Sequence, residues 1–244
     1  MTHPIYPDLK GRRVVVTGGG SGIGEGIVRA FAEQNAEVHF LDIIDEAKPL
    51  ADSLGEHVHF HHCDLTDPRA LEQVLADIGT VDVLVNNAAN DDRHTLEDVT
   101  AEYWDDRMAI NLRHQALAAR DVAAGMRAQG HGSIINMGSI SWHLGEPGMV
   151  LYETAKAAIE GLTRALASEL GGDGIRVNCV IPGNVKTPRQ SRWHSPEDEA
   201  RIVTEQKLKV RLHPHHVAAM VLFLASDAAA GCTAHNYWVD AGWL

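Results

Sequence analysis

Val14-Val15-Val16 is a β-branched run that stops at Thr17-Gly18-Gly19-Gly20, after which Ile23, Ile27, Val28 and Phe31 recur at near-helical spacing. The pattern predicts a strand, a glycine turn and a helix. The same alternation returns along the chain, with strands predicted over 37–41, 58–63, 81–86, 133–137, 177–181 and 237–239. Helices are predicted over 45–54, 68–78, about 103–126, 151–170 and 215–225. Short apolar strands separated by helices imply right-handed crossovers and a parallel sheet covered on both faces. The expected fold is therefore α/β, a single doubly wound (Rossmann) domain over 1–244 with a seven-stranded parallel sheet. The polar stretch 186–206 reads as an insertion over the carboxyl edge of that sheet, where such folds bind ligands.

Composition narrows the class without changing the fold. The 244 residues are 45% hydrophobic and 22% charged, as in a globular protein able to bury a core. Lys and Arg number 21 against 33 Asp and Glu, a formal net charge of −12, which repels nucleic-acid phosphates and anionic lipid. No stretch approaches the roughly 18 apolar residues of a membrane span, and Met1-Thr2-His3-Pro4 opens without the features of a signal peptide. Cys63, Cys179 and Cys232 form no Cys-x-x-Cys pair and suit a reducing compartment, so a cytoplasmic location is expected.

Gly18, Gly22 and Gly24 would let the backbone approach a pyrophosphate at a helix N-terminus, whose unpaired N–H groups favour anions. Five glycines within 18–24 exceed what chain reversal alone requires. Asp42 lies 42 − 22 = 20 residues beyond Gly22, at the end of the second strand, where a carboxylate can accept both hydroxyls of an adenosine ribose. Its charge opposes a 2′-phosphate and no Arg or Lys neighbours it, which favours NAD over NADP. A helix-capping role for Asp42 is the structural alternative, although Asp45 is better placed to cap. Asp64 has two readings, an acceptor for the adenine amino group or the turn former before Thr66-Asp67-Pro68.

Tyr152 and Lys156 stand one turn apart on one helix face. Making a phenol a base at neutral pH needs a shift of roughly 3 units, or about 4 kcal/mol. A cation about 4 Å away at an effective dielectric of roughly 20 supplies energy of that order. Ser139 lies 13 residues before Tyr152, past the fifth strand, where its hydroxyl can hold a reacting oxygen.

With these residues in order, the chain resembles the classical short-chain dehydrogenase/reductase family over essentially its full length. The resemblance rests on Thr17-Gly18-x-x-x-Gly22-x-Gly24, Asp64, Asn86-Asn87-Ala88, Asn111, Ser139, Tyr152, Lys156 and Pro182-Gly183. It implies Tyr152 as the acid/base, Lys156 lowering its pKa and holding the nicotinamide ribose, Ser139 positioning the substrate oxygen, and Asn111 fixing a relay water. Cofactor contacts are implied for Gly18, Ser21, Gly22, Ile23, Gly24, Asp42, Asp64, Leu65, Asn87, Ala88, Tyr152, Lys156, Pro182, Gly183, Val185 and Thr187. The family also implies a homotetramer packed through its two long helices, where Ala155, Ala157, Ala158, Gly161 and Ala165 would permit close approach. Two positions depart from its pattern: Ala89 and Ala241 stand where glycine is usual, which bears on backbone geometry rather than chemistry.

The segments expected around the pocket carry Asn90-Asp91-Asp92-Arg93-His94, Ser141-Trp142-His143 and Asn184-Val185-Lys186-Thr187, followed by Arg189, Gln190 and Trp193. Carboxylates, amides and indoles suit a polyhydroxylated ligand better than a steroid or acyl chain. Asn90, Asp91, Ser139, Ser141, Trp142, His143, Tyr152, Asn184 and Trp193 are the substrate candidates. These loops, with 138–145, Pro182-Gly183 and Tyr237-Trp238-Val239-Asp240-Ala241-Gly242-Trp243, resemble those of the family's sugar 1-dehydrogenases, which implies oxidation of C1 of a cyclic aldose, a pentose first, to the lactone. A dehydrogenase of another small polar alcohol or sugar acid is the alternative, and a silent NAD-binding scaffold has no need of the four catalytic groups together. Fifteen histidines, including His57, His59, His61, His62, His213, His215 and His216, show no catalytic zinc spacing, so no metal is expected.

Overall fold

The apolar runs become β1 (Arg13–Thr17), β2 (Glu37–Asp42), β3 (Val58–His62), β4 (Val83–Asn86), β5 (Gly132–Met137), β6 (Ile175–Pro182) and β7 (Asn236–Val239). All pair in parallel in one sheet of order β3-β2-β1-β4-β5-β6-β7, in a computed structural model that describes residues 3–192 and 194–244. The helices are α1 (Gly22–Glu33), α2 (Lys48–Leu54), α3 (Pro68–Ile78), α4 (Ala101–Met108), α5 (His114–Gln129), α6 (Ser141–Leu144), α7 (Val150–Leu170), α8 (Pro196–Glu205) and α9 (Pro214–Ala225).

Period-two alternation explains the layering. Val14 and Val16 of β1 bury against Ile27 and Phe31 of α1 and Val217 and Val221 of α9. Val15 points the other way, into a core with Leu71 and Leu75 of α3 and Ala118 and Val122 of α5. Burying such a side chain contributes about 1.5–3 kcal/mol, so a strand buried on both faces fixes its position strongly. β1 and β4 are neighbours while β2 lies on the far side of β1, so successive connections leave in opposite directions there. The crevice that opens at the carboxyl ends of β1 and β4 is the ligand position of doubly wound sheets.

Local signals set the helix ends. Asp67 caps α3 by accepting from the Arg69 N–H at 2.9 Å, with Pro68 in the first turn. Ser195 and Asp198 form a capping box at the start of α8 within the 186–206 insertion. The helix expected over 103–126 is interrupted by a π-helical turn, Ala109–Arg113. Buried Asn111 causes the interruption: its Oδ1 accepts from the Asn90 N–H at 2.8 Å and its Nδ2 donates to the Asn90 carbonyl at 3.0 Å. Asp45 caps nothing; it lies inside a 3₁₀ turn, Asp45–Ala47, whose N-cap is Ile44. Among the described residues, no helix is long and apolar enough to cross a membrane.

Candidate active site

The glycine turn is built for close approach. Gly18 takes φ +64°, and a Cβ there would lie 2.8 Å from Ala88 Cα; at Gly24 one would lie 1.9 Å from the Gly18 carbonyl oxygen. Thr17 Oγ1 accepts from the N–H groups of Asn87 and Ala88 at 3.0 and 3.1 Å, and Asn87 Nδ2 donates to the Thr17 and Gly18 carbonyls. These bonds tie the ends of β1 and β4 into one floor. Ser21, the N-cap of α1, makes no side-chain bond to the helix, so the first-turn N–H groups have no side-chain acceptor from the cap. Thr187 Cγ2 would be 3.4 Å from a Cβ on Gly22, so Thr187 faces the turn from the 186–206 insertion. A bare glycine floor, an uncapped helix start and an opposing threonine fit a dinucleotide pyrophosphate.

Asp42 ends β2 beside this turn. Its Oδ2 accepts from the Gly20 N–H at 2.8 Å, and Oδ1 accepts from its own neighbours Ile43 (2.8 Å) and Ile44 (3.4 Å). The carboxylate thus shapes the glycine turn and caps no helix. Ile43 and Ile44 flank it as exposed aliphatics, and the next cation along the chain, Lys48, is paired with Asp52 at 2.9 Å. Asp64 forms a turn: Oδ1 accepts from the Thr66 N–H (2.9 Å) and Thr66 Oγ1 (2.7 Å). Leu65 is buried in the core with Ala88, so only its backbone is placed to meet a cofactor. Ile23 packs partly buried on the opposite core, and Val185 is buried in a bridge to Leu212. Pro182 ends β6, and the Gly183 N–H donates to the Val239 carbonyl at 2.9 Å.

Ser139 follows β5; its Oγ lies 2.9 Å from Ser141 Oγ and accepts from the Ser141 N–H at 3.1 Å. Tyr152, in the first turn of α7, faces the Ser139 hydroxyl. Lys156 is buried, its Nζ donating to the Met137 carbonyl at 2.7 Å and standing 5.4 Å from the Tyr152 ring centroid. Burial dominates the electrostatics of this pair. Burial, followed by the nearby Asp91 carboxylate, pushes the Tyr152 phenol above its ordinary value, and the Ser139 hydrogen bond pulls it only partly back. Burial also pulls Lys156 down to about 8.

Behind these groups lies a buried polar layer not foreseen from sequence. Asn86 Nδ2 donates to Asn136 Oδ1 at 2.9 Å, Asn136 Nδ2 donates to Thr163 at 3.0 Å, and Gln115 Nε2 reaches the Asn111 carbonyl at 3.4 Å. His114 is fully buried and neither ring nitrogen meets a partner at good hydrogen-bond geometry; burial, aided by the Lys156 charge, outweighs the nearby backbone of Ala109 and Ile110 and lowers its pKa to about 3. The side-chain amide of Asn111 is bonded to the Asn90 backbone and secures the loop after β4.

A cavity of about 400 Å³ opens in front of Ser139 and Tyr152, and Asp91, Ser141 and Asn184 line it as expected. Asn90 lies off the lining, its Oδ1 accepting from the Asp92 N–H at 2.9 Å. Trp142 and His143 also lie off it, because the Glu160 carboxylate on α7 accepts from Trp142 Nε1 (2.7 Å) and binds His143 Nε2 (3.0 Å). Glu160 also accepts from Asn236, and the His143 ring packs tilted against Trp238 with centroids 4.5 Å apart, so both residues serve the β7 side. Trp193 lies outside the described residues. Arg93, Glu146, Gln190, His194, Asp198 and Arg201 add polar groups to the lining, and Ile140, Leu144, Met149, Gly183 and Trp243 complete it. Arg189 spans the mouth, its guanidinium on Asp91 (2.6 Å) and Asp92 (2.7 Å). Trp243 reaches the cavity because Asp240 gathers the tail, accepting from the N–H groups of Gly242 (3.0 Å), Trp243 (3.0 Å) and Leu244 (3.2 Å). The tail's departure from glycine is visible: Ala241 sits at φ +58°. Ala89 is exposed and not in that region, so its methyl group is accommodated.

A family model described as Enoyl-(Acyl carrier protein) reductase matches residues 18–244. The chain is 60% identical over 247 residues to D-xylose 1-dehydrogenase of Caulobacter vibrioides, covering 100% of each. It is 45% identical over 254 residues to the probable galactose dehydrogenase GalD of Rhizobium meliloti, covering 99% of each. A solved structure titled short chain dehydrogenase/reductase family protein superposes with a TM-score of 0.88 at 34% identity, over 96% of this chain and 98% of that one.

Proposed function

Because the chain belongs to the short-chain dehydrogenase/reductase family and is an oxidoreductase, we propose that it oxidises C1 of a cyclic aldose, D-xylose first, to the lactone, with NAD as acceptor. The observation that carries this reading is the cavity wall, where Ser139 and Tyr152 meet carboxylates, guanidinium groups, two amides and one indole, with Ile140, Leu144 and Met149 as the aliphatic minority. Paired sugar hydroxyls satisfy such polar groups, and Trp243 offers a flat apolar surface to the C–H face of the ring. The names of the relatives at 60% and 45% identity support a sugar substrate.

C1 of the ring form is a hemiacetal carbon carrying one hydrogen and one hydroxyl. Loss of that hydrogen as hydride and of the hydroxyl proton leaves an ester with the ring intact. Tyr152 takes the hydroxyl proton, and Ser139 holds the same oxygen so that donor and acceptor stay aligned. The dinucleotide, when bound, would supply the hydride acceptor. The Ser139 hydrogen bond and the Arg189 and Arg93 charges oppose the burial and the Asp91 repulsion that raise Tyr152. Asn111 acts as a positioning residue through the Asn90 backbone.

NAD is the preferred dinucleotide on this reading, since Asp42 would face a 2′-phosphate with no unpaired cation beside it. A homotetramer is supported by Ala158, Gly161 and Ala165, which leave one exposed face of α7 free of large side chains, whereas Ala155 is spent inside the subunit. A cytoplasmic location agrees with three cysteines that form no disulfide. The test supplies NAD or NADP with D-xylose, L-arabinose, D-galactose, a keto acid or an aliphatic alcohol and follows the reduced cofactor. Turnover of the aldoses with NAD supports the reading; turnover confined to the keto acid or alcohol rejects the substrate assignment.

A further inference from the structure

We propose that Glu37, His39 and His59 form a Zn²⁺ site on the outer half of the sheet, separate from the dehydrogenase centre. The strand pairing assembles it. His39 on β2 stands directly opposite His59 on β3, and Glu37 lies two residues before His39, so period two puts all three on one face. The sequence pattern concealed this, because the histidine run at 57–62 gains its partner from a different strand. One ligand atom from each of the three lies within 4.8 Å of the others. Tetrahedral zinc with bonds of about 2.0–2.1 Å needs ligand atoms about 3.3 Å apart. His39 Nε2 already stands 3.3 Å from Glu37 Oε1, while the His59 ring stacks on His39 with centroids 4.7 Å apart, so closure requires His59 to rotate off the stack and bring a ring nitrogen inward by up to about 1.5 Å.

The surroundings supply what such a site needs. His39 Nδ1 and His61 Nε2 are 2.9 Å apart, so His61 fixes the His39 ring by the nitrogen that faces away from Glu37. Metal at Nε2 would replace its hydrogen; the two neutral rings exchange tautomers, His39 Nδ1–H then donating to His61. His39 is buried while Glu37 and His59 are half-buried, which leaves an entry from solvent at the sheet's edge. Imidazole and carboxylate together suit zinc among the common divalent ions. Arg13 opposes binding, since its guanidinium holds the Glu37 carboxylate at 3.1 Å. Its removal should therefore tighten the site, an effect no purely structural role for these histidines would give.

The test titrates Zn²⁺ into untagged, chelator-treated protein by calorimetry, with Co²⁺ as a visible-absorption probe of tetrahedral nitrogen and oxygen ligation. One Zn²⁺ per chain is expected, weakened at least tenfold in His39→Leu and in His59→Leu. Arg13→Gln should bind several-fold tighter, and a combined His213→Ala, His215→Ala, His216→Ala variant should bind as the parent does. Sugar oxidation, which these residues do not touch, reports that each variant is folded; if the chain oxidises no sugar, circular dichroism does so instead. The absence of saturable binding, or its loss in the 213–216 variant with retention in His39→Leu, overturns the proposal.

Discussion

Asp240→Asn tests how the tail builds the cavity. The carboxylate collects three backbone N–H groups, Gly242 on Oδ1 and Trp243 and Leu244 on Oδ2. Asparagine keeps the size but has one acceptor oxygen. If that oxygen keeps Trp243 and Leu244, both bonds fall from charge-assisted to neutral, about 1 kcal/mol each, and the Gly242 N–H then faces an NH₂ group at about 1–3 kcal/mol. Leu244 is 57% exposed, so water recovers part of this and a net local loss of about 2–3 kcal/mol remains. The loss frees the tail and withdraws Trp243 from the wall. An aromatic contact of that size contributes about 1.5–3 kcal/mol, so KM for the sugar should rise roughly tenfold, with Trp243→Ala setting the upper bound near a hundredfold. Steady-state kinetics in both substrates is the assay, with KM for NAD unchanged and kcat within a few-fold. Unchanged sugar KM in both variants would refute the role given to the tail.

Other perturbations read other parts of the structure. Asp42→Ala removes the charge facing a 2′-phosphate and the acceptor of the Gly20 N–H; NAD binding should weaken about tenfold while NADP improves, measured as the ratio of kcat/KM values. Ala241→Gly relieves a left-handed backbone at φ +58° and should stabilise the protein by about 1 kcal/mol, visible as a rise of a few degrees in Tm. Lys156 is depressed to about 8 in the folded protein, so between about pH 8 and its ordinary value near 10.4 the unfolded chain binds more protons, and stability from this group rises with pH. Lys156→Met should therefore abolish turnover and gain most relative stability at pH 7, by about 1–2 kcal/mol after loss of the Met137 bond, the gain shrinking toward pH 10 in denaturant titrations.

How much of this was legible in the sequence depended on whether a signal was local. All seven strands were: the five inner ones are short apolar runs that the sheet buries on both sides, and the half-buried edge strands β3 and β7 still carry β-branched or aromatic residues between polar segments, and so was the order of the glycine turn, Ser139, Tyr152 and Lys156. The π-helical turn was not, since its cause is the bond from Asn111 to a backbone 21 residues away. Trp142 and His143 read as pocket residues because their loop borders the cavity, yet Glu160 on a helix 17 residues later turns them outward. Trp243 belongs to a segment that carried the resemblance but was not among the substrate candidates, since only the Asp240 cap carries the last residues into the wall. The Tyr152 argument used a lone cation at an assumed distance; in the fold, Lys156 is bonded to Met137 and burial dominates.

The most direct measurement supplies D-xylose deuterated at C1 together with NAD, and analyses both products by mass spectrometry and carbon NMR. The account predicts that the deuterium appears in the reduced cofactor and that xylonolactone forms in equal amount, with Tyr152→Phe slower by a factor of about 10³ or more while still binding NAD. Reduced cofactor without deuterium, or Tyr152→Phe turning over at near the parent rate, would contradict it.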